Sequence, residues 1–228
     1  MKGMFIRGLQ GMFTKLTILL TFLIYPSLNF SQVYQINNQE VTTRVILDNE
    51  YIVISKFKSD SGNFISTLGG YYQLNKGVYE INLEFNSNYD QDSIKTLSIT
   101  KASKWKNISK ENDILKGKWV MSGRYNNGEF RTRNTDLPRK TMKILIDGFF
   151  QWIAFNTETF KFSGSGGGEY ETLDGKYIEI IQYFSRDDSR VGAELDFNYE
   201  VKNKDWYHSG FSSKGNPINE VWTIRNNK

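Results

Sequence analysis

The chain has no cysteine, one histidine and three prolines in 228 residues. Without cysteine there is no disulfide scaffold, no thiol nucleophile, no Cys-ligated zinc and no iron–sulfur cluster. A single histidine, His208, removes every two-histidine metal motif and leaves one imidazole for acid–base work. Long apolar runs are scarce as well. Beyond the N-terminal segment no window approaches the ~20 apolar residues that a spanning helix needs. What is present is a folding composition: 39% hydrophobic, 24% charged and 15% aromatic residues, which excludes a disordered chain. The length suits one large domain or two small ones.

Residues 1–31 read as an export signal. Lys2, Arg7 and Lys15 precede the apolar run 16–25, and Pro26 breaks it before an expected cleavage after Ser31. Met12 also opens a complete signal, and the alternative is an uncleaved anchor, for which ten apolar residues are short. No cysteine follows the run, so no lipid anchor is expected. Without the three basic residues of this segment the formal charge falls from +4 to about +1. So even a balance provides no basic footprint for nucleic acid. The expected location is the periplasm or the cell exterior, with no stable membrane span after cleavage.

The remainder is patterned for strands. Short runs rich in Val, Ile, Tyr, Phe, Trp and Thr recur at the spacing of a sandwich or barrel, among them Thr43–Leu47, Tyr51–Phe57, Tyr79–Phe85, Lys143–Ile146 and Phe149–Phe155. Tyr177–Phe184, Leu195–Val201 and Val221–Ile224 continue the series. Asp48-Asn49, Asp147-Gly148, Asp174-Gly175 and Lys202-Asn203-Lys204 fit tight hairpin turns. The expected fold is all-β, an up-and-down antiparallel barrel preceded by a related, truncated β-unit.

Sliding residues 51–97 against 149–195 without a gap gives ten identities in 47 positions, several of them turn glycines and aromatics. Two units follow: a first, truncated one over 32–108 and a second, complete one over 115–228. If Trp105 corresponds to Trp222, the first unit lacks a hairpin present in the second around residues 206–213, and nothing in it matches His208. Between them, Ser109–Leu115 reads as a capped helical turn.

The second half carries an ordered set of motifs: Leu115-Lys116-Gly117-Lys118-Trp119, Gly148-Phe149-Phe150-Gln151-Trp152, Asn156-Thr157-Glu158-Thr159 and Gly166-Gly167-Gly168-Glu169-Tyr170. Asp174-Gly175-Lys176-Tyr177-Ile178-Glu179, Tyr183-Phe184-Ser185-Arg186-Asp187, Trp206-Tyr207-His208-Ser209-Gly210 and Ile218-Asn219-Glu220-Val221-Trp222 complete it. In these motifs the chain resembles a family of lipocalin-like secreted proteins of Gram-negative bacteria. The resemblance implies small β-barrels and a two-unit architecture. The first half departs from it, with neither the Gly-x-Trp opening strand nor the His-bearing hairpin, so a ligand site is expected in the second half.

Strand alternation groups Tyr177, Glu179, Ile181 and Tyr183 on one face, Phe150, Trp152 and Ala154 on another, then Trp206 with His208, and Glu220 with Trp222 and Ile224. Large aromatics with a few polar groups suit a small-molecule pocket. The candidate ligand-binding residues are Phe150, Trp152, Glu179, Tyr183, His208 and Trp222, and the expected function is non-enzymatic binding of a small, partly apolar ligand. No catalytic residue, metal or cofactor is assigned. Glu179 stands in an otherwise apolar strand, either as half of an acid–base pair with His208 or as a carboxylate paired with Lys143, Arg124 or the backbone. A haem-ligand role for His208 would need a deep apolar pocket. The rival to ligand binding is an interaction module with filled barrels that docks an envelope protein or polysaccharide. Gly164-Ser165-Gly166-Gly167-Gly168 has no following helix with Lys-Ser/Thr, so it reads as a bulge or bend and not as a phosphate loop. Asp187-Asp188 and Asp90-Gln91-Asp92 lack the spacing of a calcium loop and read as solvated turns.

Overall fold

Two-residue turns and strand alternation shape most of the chain. The computed structural model describes residues 31–110 and 114–225. In it Asp147-Gly148 and Asp174-Gly175 both take positive φ at their two positions, as do Lys76-Gly77, Asn127-Gly128 and Asn203-Lys204. That is the geometry that lets a two-residue hairpin follow the strand twist. Asp48 and Asn49 stay outside this set, and their connection closes through Asp48 N–H donating to the Tyr51 carbonyl. Of the helical turn expected over 109–115, residues 111–113, and of the signal expected over 1–31, residues 1–30, lie outside the described residues.

Seven strands form an open antiparallel sheet: β1 (Gln32–Asn37), β2 (Val41–Leu47), β3 (Tyr51–Lys58), β4 (Phe64–Asn75), β5 (Val78–Asn86), β6 (Thr96–Thr100) and β7 (Lys106–Asn107), in the order β6-β5-β4-β3-β2-β1-β7. The second sheet holds β8 (Gly117–Asn126), β9 (Glu129–Thr132), β10 (Arg139–Ile146), β11 (Phe149–Asn156) and β12 (Phe162–Leu173). It continues with β13 (Lys176–Phe184), β14 (Glu194–Lys202), β15 (Asp205–Phe211) and β16 (Pro217–Ile224). Strand β8 pairs with β16 on one side and with β10 on the other, Trp119 opposite both Ile224 and Lys143. Eight strands thereby close into an antiparallel barrel, while β9 pairs only with the far end of β8. The all-β, up-and-down barrel with a separate sheet before it is the architecture expected.

Glycines inside β12 set a decisive irregularity. Gly167 pairs with Tyr183 but Gly168 with Ile181, so Gln182 bulges out of the ladder. A Cβ on Gly168 would run into the Ile180 carbonyl, so only glycine fits. The extra residue reverses the alternation: Ile181 points into the barrel, Tyr183 points out and Phe184 points in again. The first sheet bulges at Glu84, between Gly69 and Gly70, which are the residues that the alignment sets opposite Gly167 and Gly168.

The sheet docks on the outside of the barrel. Met142, Ile144 and Ile146 of β10 and Phe149, Ile153 and Phe155 of β11 pack on Val33, Ile46, Tyr51, Val53 and Phe85. This explains why β10 and β11 are apolar on both faces, since one lines the barrel and the other is covered by the sheet. The ring contacts cross over: Phe57 stacks on Tyr183 at 4.8 Å, Phe155 meets Phe85 at 5.0 Å, and Phe64 lies parallel to Phe162 at 6.0 Å between them. Gln151 is the polar keystone. It accepts from Ser55 Oγ and donates to Thr67 Oγ1 and Ser165 Oγ, all within 2.9 Å and all buried. At the rim Arg225 grips both oxygens of Glu84 (2.6 and 2.7 Å), and Lys118 reaches Asp48 and Glu50.

The concave side of the first sheet is packed with aliphatic and aromatic side chains, including Tyr34, Val45, Ile52, Tyr79 and Ile81. Trp105 lies against Tyr34 and Tyr79 at 5.5 and 6.3 Å. Phe160, held at φ 59° in the β11–β12 turn, reaches over from the barrel and stacks on Tyr89 at 4.7 Å.

Candidate ligand cavity in the barrel

Inward-facing side chains of the barrel line a cavity of about 280 Å³ that opens to solvent at one side. Its walls are aromatic: Phe150 and Trp152 from β11, Phe184 from β13, Phe197 from β14 and Trp222 from β16. Met121, Ile181, Leu195 and Ile218 fill the gaps between the rings. Gly166 keeps β12 thin here, because a Cβ would collide with the Phe184 ring. Trp152 and Phe184 stack at 6.0 Å, and the exposed Arg186 guanidinium lies 5.4 Å over Trp152 while it donates to the Ser163 carbonyl.

The polar groups are concentrated on β10, β13, β15 and β16. Lys143 Nζ binds Glu179 Oε1 at 2.6 Å, with both side chains buried, and the Tyr177 hydroxyl donates to the same oxygen at 2.8 Å. Rings of Tyr177, Trp206, Trp222 and Phe197 surround the ammonium at 5.1–5.7 Å. Burial and the Glu179 charge push the Tyr177 phenol well above its usual range, so it stays a donor. Glu220 Oε2 accepts from Trp222 Nε1 at 3.1 Å and faces His208 Nδ1 at 3.6 Å, which is longer than a hydrogen bond. Burial first, and the Lys143 charge second, lower the His208 pKa, so the imidazole is neutral at pH 7. Burial alone would raise the Glu220 carboxyl, but His208, Lys143 and the Trp222 N–H outweigh it and hold the group below the ordinary carboxylate range. Neither His208 nitrogen has a hydrogen-bond partner among the described residues. An unpaired buried polar atom costs about 1–3 kcal/mol, so such atoms mark places where a further group belongs.

Five of the six candidate residues, Phe150, Trp152, Glu179, His208 and Trp222, line this one cavity. Tyr183 does not. The bulge at Gln182 turns it outward onto Phe57 and Phe64, and burial there raises its pKa to about 12. Among the pairings considered for Glu179, Lys143 is the partner observed, and no hydrogen bond joins Glu179 to His208 among the described residues. Sequence reasoning left out Lys143 and Glu220 as lining residues. The signal for Glu220 was its alternation with Trp222, and for Lys143 its place one residue before the buried Ile144 in an apolar run. Among the described residues there is no cluster of three or more His, Asp or Glu side chains suited to a metal, and the acidic turns at Asp90–Asp92 and Asp187–Asp188 are exposed or half-buried. No helix among the described residues is long and apolar enough to cross a membrane. A comparison with known families finds no matching family model, and one with curated proteins finds no match.

Proposed function

We propose that the protein is an exported, non-enzymatic binding protein whose barrel holds a small, partly apolar ligand. The observation that carries this reading is the aromatic cavity with a buried neutral histidine whose two nitrogens are unpartnered. A hollow interior also speaks against the rival reading, in which both barrels are filled and only outer surfaces act. Export rests on the basic-then-apolar pattern of residues 1–31, and kinship with lipocalin-like secreted proteins rests on the motif order of residues 115–226. We read the two sheets as a duplicated unit, a reading supported by the ten aligned identities and the coincident bulges at Gly69/Gly70 and Gly167/Gly168.

The test is native mass spectrometry of the mature chain, purified from the envelope fraction of its own host. An added mass that vanishes on denaturation is expected. Glu179→Gln and His208→Ala should remove that mass while the melting temperature of His208→Ala changes little. A clean apo mass, together with a melting drop in both variants, would make these residues packing elements only.

A further inference from the structure

The lining carries two carboxylates and two cations, but only one cation, Lys143, is buried, and this uneven placement bears on ligand class within the binding reading just given. Two carboxylates, Glu179 and Glu220, share one ammonium, Lys143. Lys143 is committed to Glu179 at 2.6 Å, and its remaining surroundings are aromatic rings. Among the described residues Glu220 has no Lys or Arg within ion-pair distance: its neighbour at 3.6 Å is the neutral His208, while Arg124 stands opposite it on β8 and Arg133 feels its charge from farther off. The other charged group on the lining, Arg186, is exposed to solvent and bonded to a backbone carbonyl, so water screens it. Glu220 is therefore a half-buried carboxylate at the cavity wall with no hydrogen-bonded cation of its own among the described residues.

Hydrogen-bonding capacity points the same way. Both hydrogen bonds to Glu179 fall on Oε1, and the one to Glu220 falls on Oε2. With Nδ1 directed at the Glu220 carboxylate, the proton of the neutral imidazole belongs on Nδ1, which makes Nε2 an acceptor. Among the described residues Glu179 Oε2 and Glu220 Oε1 accept no hydrogen bond, and His208 is buried with neither nitrogen satisfied. An ammonium carries three donors and one positive charge, and the rings of Trp152, Phe184 and Trp222 favour a cation over their faces.

We propose that the barrel ligand is an organic monocation, an amine or alkylammonium on an apolar body of about one aromatic ring. The size follows from the cavity. A dry cavity of about 150 Å³ takes benzene; the 280 Å³ here leaves space for a ring with a short charged arm.

The experiment is isothermal titration of the mature chain at pH 7 with three probes of nearly equal shape: 2-phenylethylamine, 2-phenylethanol and phenylacetate. The amine is expected to bind about tenfold or more tighter than the alcohol, and phenylacetate weakest. In Glu220→Gln the preference of amine over alcohol should vanish while alcohol binding persists. The wild-type series stands by itself if that variant folds poorly. Equal affinity for amine and alcohol, or tighter binding of phenylacetate, overturns the cationic assignment and leaves the binding reading intact. If none of the probes binds and an apolar fluorescent dye also fails to enter, both fall together.

Discussion

The open sheet and the barrel set equivalent strands to opposite uses. In the alignment Ile81 stands opposite Glu179, Ile52 opposite Phe150 and Ile54 opposite Trp152, and upstream extension sets Val45 opposite Lys143. At these four positions the first interior is aliphatic where the second is charged or aromatic. Closure differs too. The barrel passes from β14 through β15 to β16, whereas the sheet stops at β6 and resumes at β7. In the barrel, Trp206 of β15 lies against Trp119 and Tyr177, and in the sheet Trp105 lies against Tyr34 and Tyr79, the latter aligned with Tyr177. Where the barrel has a further strand, the sheet has a tryptophan side chain that bridges β1 and β5. A wall that consists of backbone can stand away from its neighbours and leave a hollow, whereas a side chain that plugs a gap fills it. The difference between the filled sheet and the hollow barrel therefore lies in one strand and one ion pair.

Exchanging the ion pair is the most forceful way to break this contrast. Lys143→Val alone leaves Glu179 buried without its cation and is expected to cost about 3–5 kcal/mol in urea unfolding followed by tryptophan fluorescence. Adding Glu179→Ile reproduces the residues of the first sheet and should recover most of that loss while abolishing ligand binding. Equal losses in the single and double variants would show that the two charges are not a unit.

Removing the plug comes next. Trp105→Ala should destabilise the first sheet by about 3 kcal/mol, at the low end for tryptophan because the side chain is only half-buried. Hydrogen exchange is expected to accelerate in β5 and β6 and to stay slow in β13 to β15. Acceleration throughout the barrel would mean that the two units unfold as one body. Gln151→Ala probes their joint more gently: loss of three buried hydrogen bonds should cost about 1–3 kcal/mol and separate two melting transitions in calorimetry. A single, merely shifted transition would locate the coupling in the apolar contacts instead.

Much of this contrast is legible in the sequence, and its limits are physical. Strand alternation and the Asp-Gly turns mark five of the eight barrel strands, within a residue or two at most of their ends, because backbone and burial demand the same pattern there. The same alternation brings Phe150, Trp152, Glu179, His208 and Trp222 to one cavity. It fails at Tyr183, where a residue inserted in β13 reverses the faces. The glycines of β12 announce a bulge, but its consequence falls on the partner strand, and pairing partners are not written locally. Lys143 is legible as a possible partner of Glu179, but its place on the cavity wall emerges only once the sheet is seen to cover the opposite face of β10. Docking of one unit on another is a tertiary fact with no short-range signature.

The smallest predicted effect separates the units by pH. His208 has its pKa lowered by burial, so the unfolded chain takes up the proton first as pH falls. Stability of the barrel is full above about pH 6.5 and declines below it, down to the folded-state pKa. Glu220, with its pKa depressed, adds stability that is present above about pH 4.3 and is lost in more acid solution. The first sheet contains no histidine, so its unfolding should be flat near pH 6. Barrel unfolding followed between pH 5 and 8, alongside His208→Asn, checks this, and an unchanged slope in the variant would refute it.

The pairing of Trp119 with Ile224 has a kinetic consequence. Residues roughly a hundred positions apart must meet before the barrel exists, the kind of long-range contact that slows folding. The sheet needs no such reach for its central strands, which pair in chain order. Its apolar outer face is thus ready early, as a platform on which β10 and β11 can settle. The strand that comes last among the described residues, β16, is the one that seals the cavity, so a chain cut before β16 would keep the platform and lose the vessel.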